Sequence, residues 1–270
     1  MVWLDEGGKG CKTARLVAPP AGLAPWVEHF WIQRGLEDSG HRPWRIVPDV
    51  SPHIIFAVES QTSGGKRSRC VVVGSRATFD DIDVGSREMT IGARLRPGAL
   101  PALARSQASV FTNRAFRTED VFGIAGRALA NRMSDSAPES GVAHLRSFLE
   151  ERLAGREPDV RLGSAIGLVP SVASLAAATG VSLRGIWNST MDKTGLGPRR
   201  LLRIVRLHRA LHYAAVSVRK WSEVAYLSGY ADQAHMVREF VSLLGEPPNA
   251  WRNRARADSF NTASAEPLQS

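Results

Sequence analysis

Several residue groupings in the 270-residue chain have types and spacings that can do chemistry. Ser63-Gly64-Gly65-Lys66 has the Ser-x-x-Lys spacing of an acyl-enzyme nucleophile. It stands in a Gly-rich turn without companion motifs and reads as a loop. His208 and His212, four apart on a helical pattern, would place two imidazoles on one face as zinc ligands are placed. The Glu of His-Glu-x-x-His and a third ligand are both missing, so one His reads as core and one as nearer the surface. Asp80, Asp81 and Asp83 gather carboxylates without the Gly and distal Glu of a calcium loop, and read as a solvated turn. His53 is placed to enter a barrel interior, but no His-x-His pair accompanies it. No P-loop and no Gly-x-Gly-x-x-Gly is present. Cys11 and Cys70 are the only cysteines, too few for a disulfide framework or a four-Cys zinc site. The chemistry expected is therefore neither catalytic nor dependent on a metal or cofactor.

What remains is a pattern that occurs twice. Leu175-Ala176-Ala177-Ala178-Thr179-Gly180-Val181-Ser182 returns 49 residues later as Val224-Ala225-Tyr226-Leu227-Ser228-Gly229-Tyr230-Ala231-Asp232. In a helix-turn-helix the small Ala allows two helices to approach, and Gly takes the positive-φ corner. The next apolar residue plugs the core, and Ser182 or Asp232 caps the second helix. Between the copies, Pro198 opens a long helix. Leu201, Val205, His208 and Leu211 share one of its faces, and Arg199, Arg203 and Arg206 lie along another.

The charge agrees with this division. Residues 165–256 hold 13 basic and 5 acidic groups, whereas 1–125 hold 16 and 13, and 126–164 hold 6 of each. Of the 13 basic groups, 11 are Arg, whose planar fork suits phosphates and base edges. A basic domain beside a near-neutral one points to a polyanionic partner. Hydrophobic content of 43% excludes a mostly disordered chain. No apolar run reaches the ~18 residues of a membrane span, and no secretory signal is visible at the N-terminus, so a cytoplasmic protein is expected.

Residues 169–254 resemble the C-terminal DNA-binding domain of AraC/XylS-family transcription regulators. The likeness is carried by Gly229-Tyr230-Ala231-Asp232-Gln233-Ala234-His235-Met236-Val237-Arg238-Glu239-Phe240 and by the closing Pro247-Pro248-Asn249-Ala250-Trp251-Arg252. In the first half Gly195-Leu196-Gly197-Pro198 is similar to the family's Gly-φ-Ser-Pro, with Gly197 in place of Ser. The family's usual Phe falls at Thr190 and its frequent Arg at Asn188. The resemblance implies that Arg184, Trp187 and Asn188 face one major-groove segment and Gln233, His235 and Arg238 the next. The two lie about one helical turn, ~34 Å, apart. Arg199, Arg200 and Arg203 are the phosphate candidates, while Trp221, Glu223 and Leu227 read as structural.

Short β-like runs at His53–Val58, Cys70–Val73 and Met89–Ala93, together with Trp26–Trp31, Val47-Pro48-Asp49 and Gly92–Gly98, resemble the cupin-like N-terminal module of an AraC-type subset. The expected fold is α+β: a small antiparallel, β-barrel-like (cupin-like) N-terminal domain plus helices, then an all-α domain with two helix-turn-helix units joined by a long helix. The expected divisions are a lead-in segment over 1–25, a sensory or dimerisation domain over 26–130, a connecting helix and linker over 131–164, the DNA-binding domain over 165–256 and a disordered tail over 257–270. Trp26, Trp31, Trp44 and Phe56 either line an effector pocket or form the core of the β domain. Val142, Leu145, Leu149 and Leu153 form an apolar seam that either packs internally or joins a homodimer. The partners expected are double-stranded promoter or operator DNA, a small-molecule effector, a second copy of the chain and RNA polymerase, with no membrane. Two other readings are open: a helical interaction module that has lost operator binding, and an enzyme on the N-terminal barrel.

Overall fold

The computed structural model describes residues 15–34, 43–60, 65–83, 87–216 and 219–259. The β-branched and aromatic runs form strands β1 (Arg15–Val17), β2 (Val27–Arg34), β3 (Pro43–Ile46), β4 (His53–Ser60), β5 (Lys66–Val73), β6 (Asp80–Asp83), β7 (Arg87–Leu95) and β8 (Ala115–Arg117). Six of them make one antiparallel sheet in the order β1-β2-β7-β4-β5-β8, with β1 and β8 as its edges, and β3 pairs with β6 in a separate ribbon.

Alternation along the strands gives the large sheet two unlike faces. Phe30, Ile54, Phe56, Cys70, Val72, Ile91 and Ala93 point to one side and form a core. That core is closed by helices α1 (Ala99–Ala104), α2 (Thr118–Phe122), α3 (Ile124–Asp135) and α4 (Gly141–Leu153). The other face carries His29, Trp31, His53 and Arg94, all buried. Trp31 lies flat on β7 because the residue opposite it is Gly92, where a Cβ would strike the indole.

Several expectations are corrected here. The lead-in segment contains β1, which pairs with β2, and Leu23 of the core. The seam on α4 is internal: Leu145, Leu149 and Leu153 are buried against the sheet with Phe148. Gly141 brings the start of α4 so close to β7 that a Cβ would strike Ile91. This helix is a layer of the N-terminal fold, and its apolar seam is covered by the sheet. Of the aromatics weighed as pocket or core, Trp26 and Phe56 are core and Trp31 is buried on the polar face. The side chain of Trp44 lies outside the described residues. Asp80, Asp81 and Asp83 fall on a strand, not a turn, because Arg45 sits directly opposite Asp81 and donates to both of its carboxylate oxygens at 2.7 Å.

The remaining helices are α5 (Arg161–Ile166), α6 (Val172–Thr179), α7 (Leu183–Thr194), α8 (Pro198–Val216), α9 (Trp221–Ser228), α10 (Gln233–Leu244) and α11 (Pro248–Ser259). α11 runs two residues past the start of the expected tail, whose residues from 260 onward lie outside the described ones. α8 joins two small cores. Leu201, Leu202, Ile204 and Val205 belong to the first, and Leu207, Ala210, Leu211 and Ala214 to the second.

Candidate nucleic-acid interface

Each half of the helical region is assembled by the same local chemistry. In the first, the chain leaves α6 at Gly180, φ 72°, and enters α7 at Ser182, whose hydroxyl accepts from the Gly185 N–H at 3.1 Å. In the second it leaves α9 at Gly229, φ 84°, and enters α10 at Asp232, whose carboxylate accepts from the His235 N–H at 2.6 Å. The residue after each glycine donates to the small Ala five residues back: Val181 to Ala176 and Tyr230 to Ala225, both at 3.0 Å. α6 and α9 have eight residues each, and α7 and α10 have twelve. The two units are copies.

They differ in how they are filled. Phe240 and Trp251 close the second core. The first has Thr190 at the place of Phe240, fully buried, with its hydroxyl donating to the Trp187 carbonyl at 3.0 Å. The first core also takes in Val50 and Ala77 from the sheet domain. The buried hydroxyl therefore has an intrahelical partner, and neighbours from outside the unit complete its packing.

Arg184, Trp187 and Asn188 are exposed on α7, and Gln233 and Arg238 on α10. Arg199 and Arg200 are exposed in the first turn of α8. No acidic side chain stands in the first turn of α7, whose cap is the neutral Ser182, so its positive end keeps its attraction for phosphate, whereas the end of α10 is already occupied by the Asp232 carboxylate. Two candidates have other tasks. His235 is half-buried, its ring edge-on to Tyr230 at 5.4 Å, and it braces the turn. Arg203 donates to Glu239 at 2.8 Å and to Ser242 at 3.1 Å, tying α8 to α10. Leu183, 62% exposed at the start of α7, is a surface residue that the motif alone does not single out. Its spacing of four from Trp187 is the signal that finds it.

The sheet domain grips both units at equivalent places, the glycines that end α7 and α10. Thr112 donates to the Gly195 carbonyl at 3.4 Å, and Gly98 donates to the Lys193 carbonyl at 3.0 Å. On the other side Phe79 N–H donates to the Leu243 carbonyl at 3.1 Å, and Arg45 to the Leu244 carbonyl at 3.0 Å. Between these grips His208 of α8 donates to the Pro48 carbonyl at 2.6 Å.

Next to Pro48 lies a buried ionic cluster on the polar face of the sheet. Arg94 is paired with Asp49 and, at 2.8 Å, with Glu28, and His53 stands 3.8 Å from Asp49. Burial pushes the Asp49 carboxyl up, but the charges of Arg94, His208 and His53 outweigh it and hold the pKa at about 2. Burial brings His53 down to about 3, and lowers His208 and His29 as well. His208 is thus a neutral donor at the domain boundary. Among the described residues no group of three or more His, Cys, Asp or Glu is placed to hold a metal ion. Burial raises the Cys70 thiol to about 11, so it is inert. Ser63 and Cys11 lie outside the described residues. No described helix is long and apolar enough to cross a membrane.

Residues 175–254 match the family of helix-turn-helix domains, the segment in which the two units stand. The C-terminal part of the chain is thus a helix-turn-helix domain. Residues 15–117 match a domain of unknown function, DUF6597, which begins where β1 does. No curated protein sequence matches the chain. Solved structures similar to it include ToxT from Vibrio cholerae O395, at 10% identity and a TM-score of 0.42 over 84% of this chain and 97% of that one. Another is the same protein bound to (E)-4-(8-methylnaphthalen-1-yl)but-3-enoic acid, at 10% and 0.41 over 90% and 100%. A third is unsaturated fatty acid bound ToxT, at 11% and 0.41 over 83% and 94%. Likeness at this level transfers neither a ligand nor a mechanism.

Proposed function

We propose that the chain is a DNA-binding transcription regulator of the AraC type that is sequence-specific and reads two successive major-groove segments of one duplex face, α7 in the first and α10 in the second. The observation that carries this is the equivalence of the two units. Both second helices are capped by a side chain and anchored at equivalent places, and both present exposed side chains at the end that enters a groove in helix-turn-helix proteins. Arg184, Trp187 and Asn188 face the first segment; Gln233 and Arg238 face the second. Arg199 and Arg200 contact phosphate. His235 and Arg203 act through others, by bracing the turn and by holding α10. The helices centre about 34 Å apart along the duplex.

We take the chain to divide within 154–160, after α4, into a sheet domain and this reader. The sheet domain modulates reading through its grips on Gly195 and Gly245, with a small effector as its signal and RNA polymerase as the further partner at a promoter. Selection of bound duplexes from a random pool by the full chain tests the reading. A bipartite motif with half-elements one turn apart is expected. Binding without sequence preference would leave only electrostatic attraction.

A further inference from the structure

The first two turns of α7 have an exposed apolar stripe that the corresponding turns of α10 lack. Leu183 is 62% exposed and Trp187 53% exposed, and residues four apart on a helix are neighbours. At the corresponding places of α10 stand Gln233, which is polar, and Val237, which is half-buried. The indole is not loose. A Cβ on Gly197 would fall 2.9 Å from Trp187 Cζ3 and 3.0 Å from Cη2, so the ring edge rests on the Gly197 backbone while half its surface faces outward. Glycine at 197 permits that seat; any larger residue would lift the ring.

We propose that Leu183 and Trp187 read thymine by apolar contact with the 5-methyl groups that line the major groove. The inference rests on α7 being a DNA reader, as proposed above. The surroundings select the occupant. Arg184 lies one position from Leu183, Arg199 and Arg200 are exposed two and three positions beyond Gly197, and the first turn of α7 has no acidic side chain. A polyanion is attracted here, and the stripe needs an apolar feature on it. In a duplex that feature is the thymine methyl group, the one apolar group displayed in the major groove. An RNA helix lacks it and has a groove too narrow to enter. The first unit then reads by shape and methyl contact where the second reads by hydrogen bonds.

The test uses the full chain and a duplex recovered from a random pool. That duplex is resynthesised with deoxyuridine replacing each thymine in turn, which removes only the methyl. In one half-element each contacted thymine should weaken binding roughly fourfold when changed, the worth of burying one methyl-sized group. Leu183→Ala and Trp187→Ala should show that loss on the thymine duplex and none further on the uracil duplex. Arg238→Ala should keep the full uracil penalty. Leu183→Ala should match the parent's thermal midpoint, whereas Trp187→Ala also loses the seat of the indole on Gly197, so Leu183→Ala is the variant that separates binding from stability. Uracil duplexes that bind as tightly as thymine ones at every position would overturn the inference, as would a penalty that survives intact in both α7 variants. A pool that yields no preferred sequence would remove the DNA-reading proposal and this inference together; a preferred sequence indifferent to uracil would remove this inference alone.

Discussion

The ring of Phe79 occupies the space that a side chain on Gly245 would need: a Cβ built there falls 2.5 Å from Phe79 Cζ and 2.7 Å from Cε1. Gly245 ends α10 at φ 73°, so glycine is required twice, once by the backbone and once by the neighbour. Gly229 has a similar φ of 84°, but a Cβ there would meet only the flexible Arg206 side chain, at 4.0 Å. Gly229→Ala should therefore lose about 1 kcal/mol from backbone strain alone. Gly245→Ala should lose clearly more, and Phe79→Ala should recover the excess. Denaturant unfolding of the two single variants and the double variant measures this. Equal losses at the two glycines would mean that the ring moves away without penalty.

The reason Gly245 can be named a helix end from sequence, but not a docking point, is one of range. Turn chemistry is local. Gly180 with Ser182, and Gly229 with Asp232, announce two helix-turn-helix units within a few residues each, and Pro198 and Pro248 announce the helices that follow. Phe79 and Thr112 lie more than eighty residues from the glycines they meet, and no periodicity encodes that. The seam on α4 has the same ambiguity. Leu145 and Leu149 specify an apolar helix face, while whether a sheet or a second chain covers it depends on where β7 comes to lie. Asp80–Asp83 reads as a turn because the carboxylates suggest solvent; Arg45 opposite Asp81 makes a strand of it. Arg203 looks like its exposed neighbours until Glu239 is brought beside it.

Thr190 is fully buried and its hydroxyl is satisfied within α7. Thr190→Val keeps the shape and removes the donor together with its intrahelical bond, so a loss under about 1 kcal/mol is expected. Thr190→Phe, which restores the aromatic of the second unit, should overpack a core already completed by Val50 and Ala77, at about 1–3 kcal/mol. Thermal unfolding of the two variants decides. Stabilisation by Phe would reveal a void at this position.

Acid should destabilise the chain in two steps. The pKa values of His29, His53 and His208 are lowered in the folded state, so the unfolded chain binds protons first. Stability is complete above 6.5, the unfolded value, and falls as pH drops below it. Asp49 is held at about 2 against 3.8 when unfolded, so a further loss follows below 3.8. His208→Gln, which retains a donor for the Pro48 carbonyl, should flatten the first step, while Asp49→Asn should also damage the fold by leaving Arg94 half-paired. Denaturation midpoints between pH 4 and 8 measure the slope. A stability that rises as pH falls through 6 would contradict the buried neutral imidazoles.

Three of the five arginines of α8, Arg199, Arg200 and Arg203, separate phosphate contact from support. Arg199 and Arg200 are exposed, so Ala at either should weaken every duplex about equally and flatten the plot of log affinity against log salt by about one unit. Arg203 is partly buried on Glu239 and Ser242. Arg203→Ala should leave the salt slope alone, lower the unfolding midpoint and weaken the cognate duplex through a loosened α10, whose Arg238 can then no longer hold its place. Arg238→Ala should cost about 1–3 kcal/mol on the cognate duplex and relax preference at one base position. Since Arg203 acts through α10, Arg203→Ala should add little once Arg238 is gone. A salt-titrated binding series on the four single variants and the Arg203/Arg238 pair carries the comparison. A slope lowered by one unit in Arg203→Ala, with unchanged stability, would return that residue to the phosphate contacts.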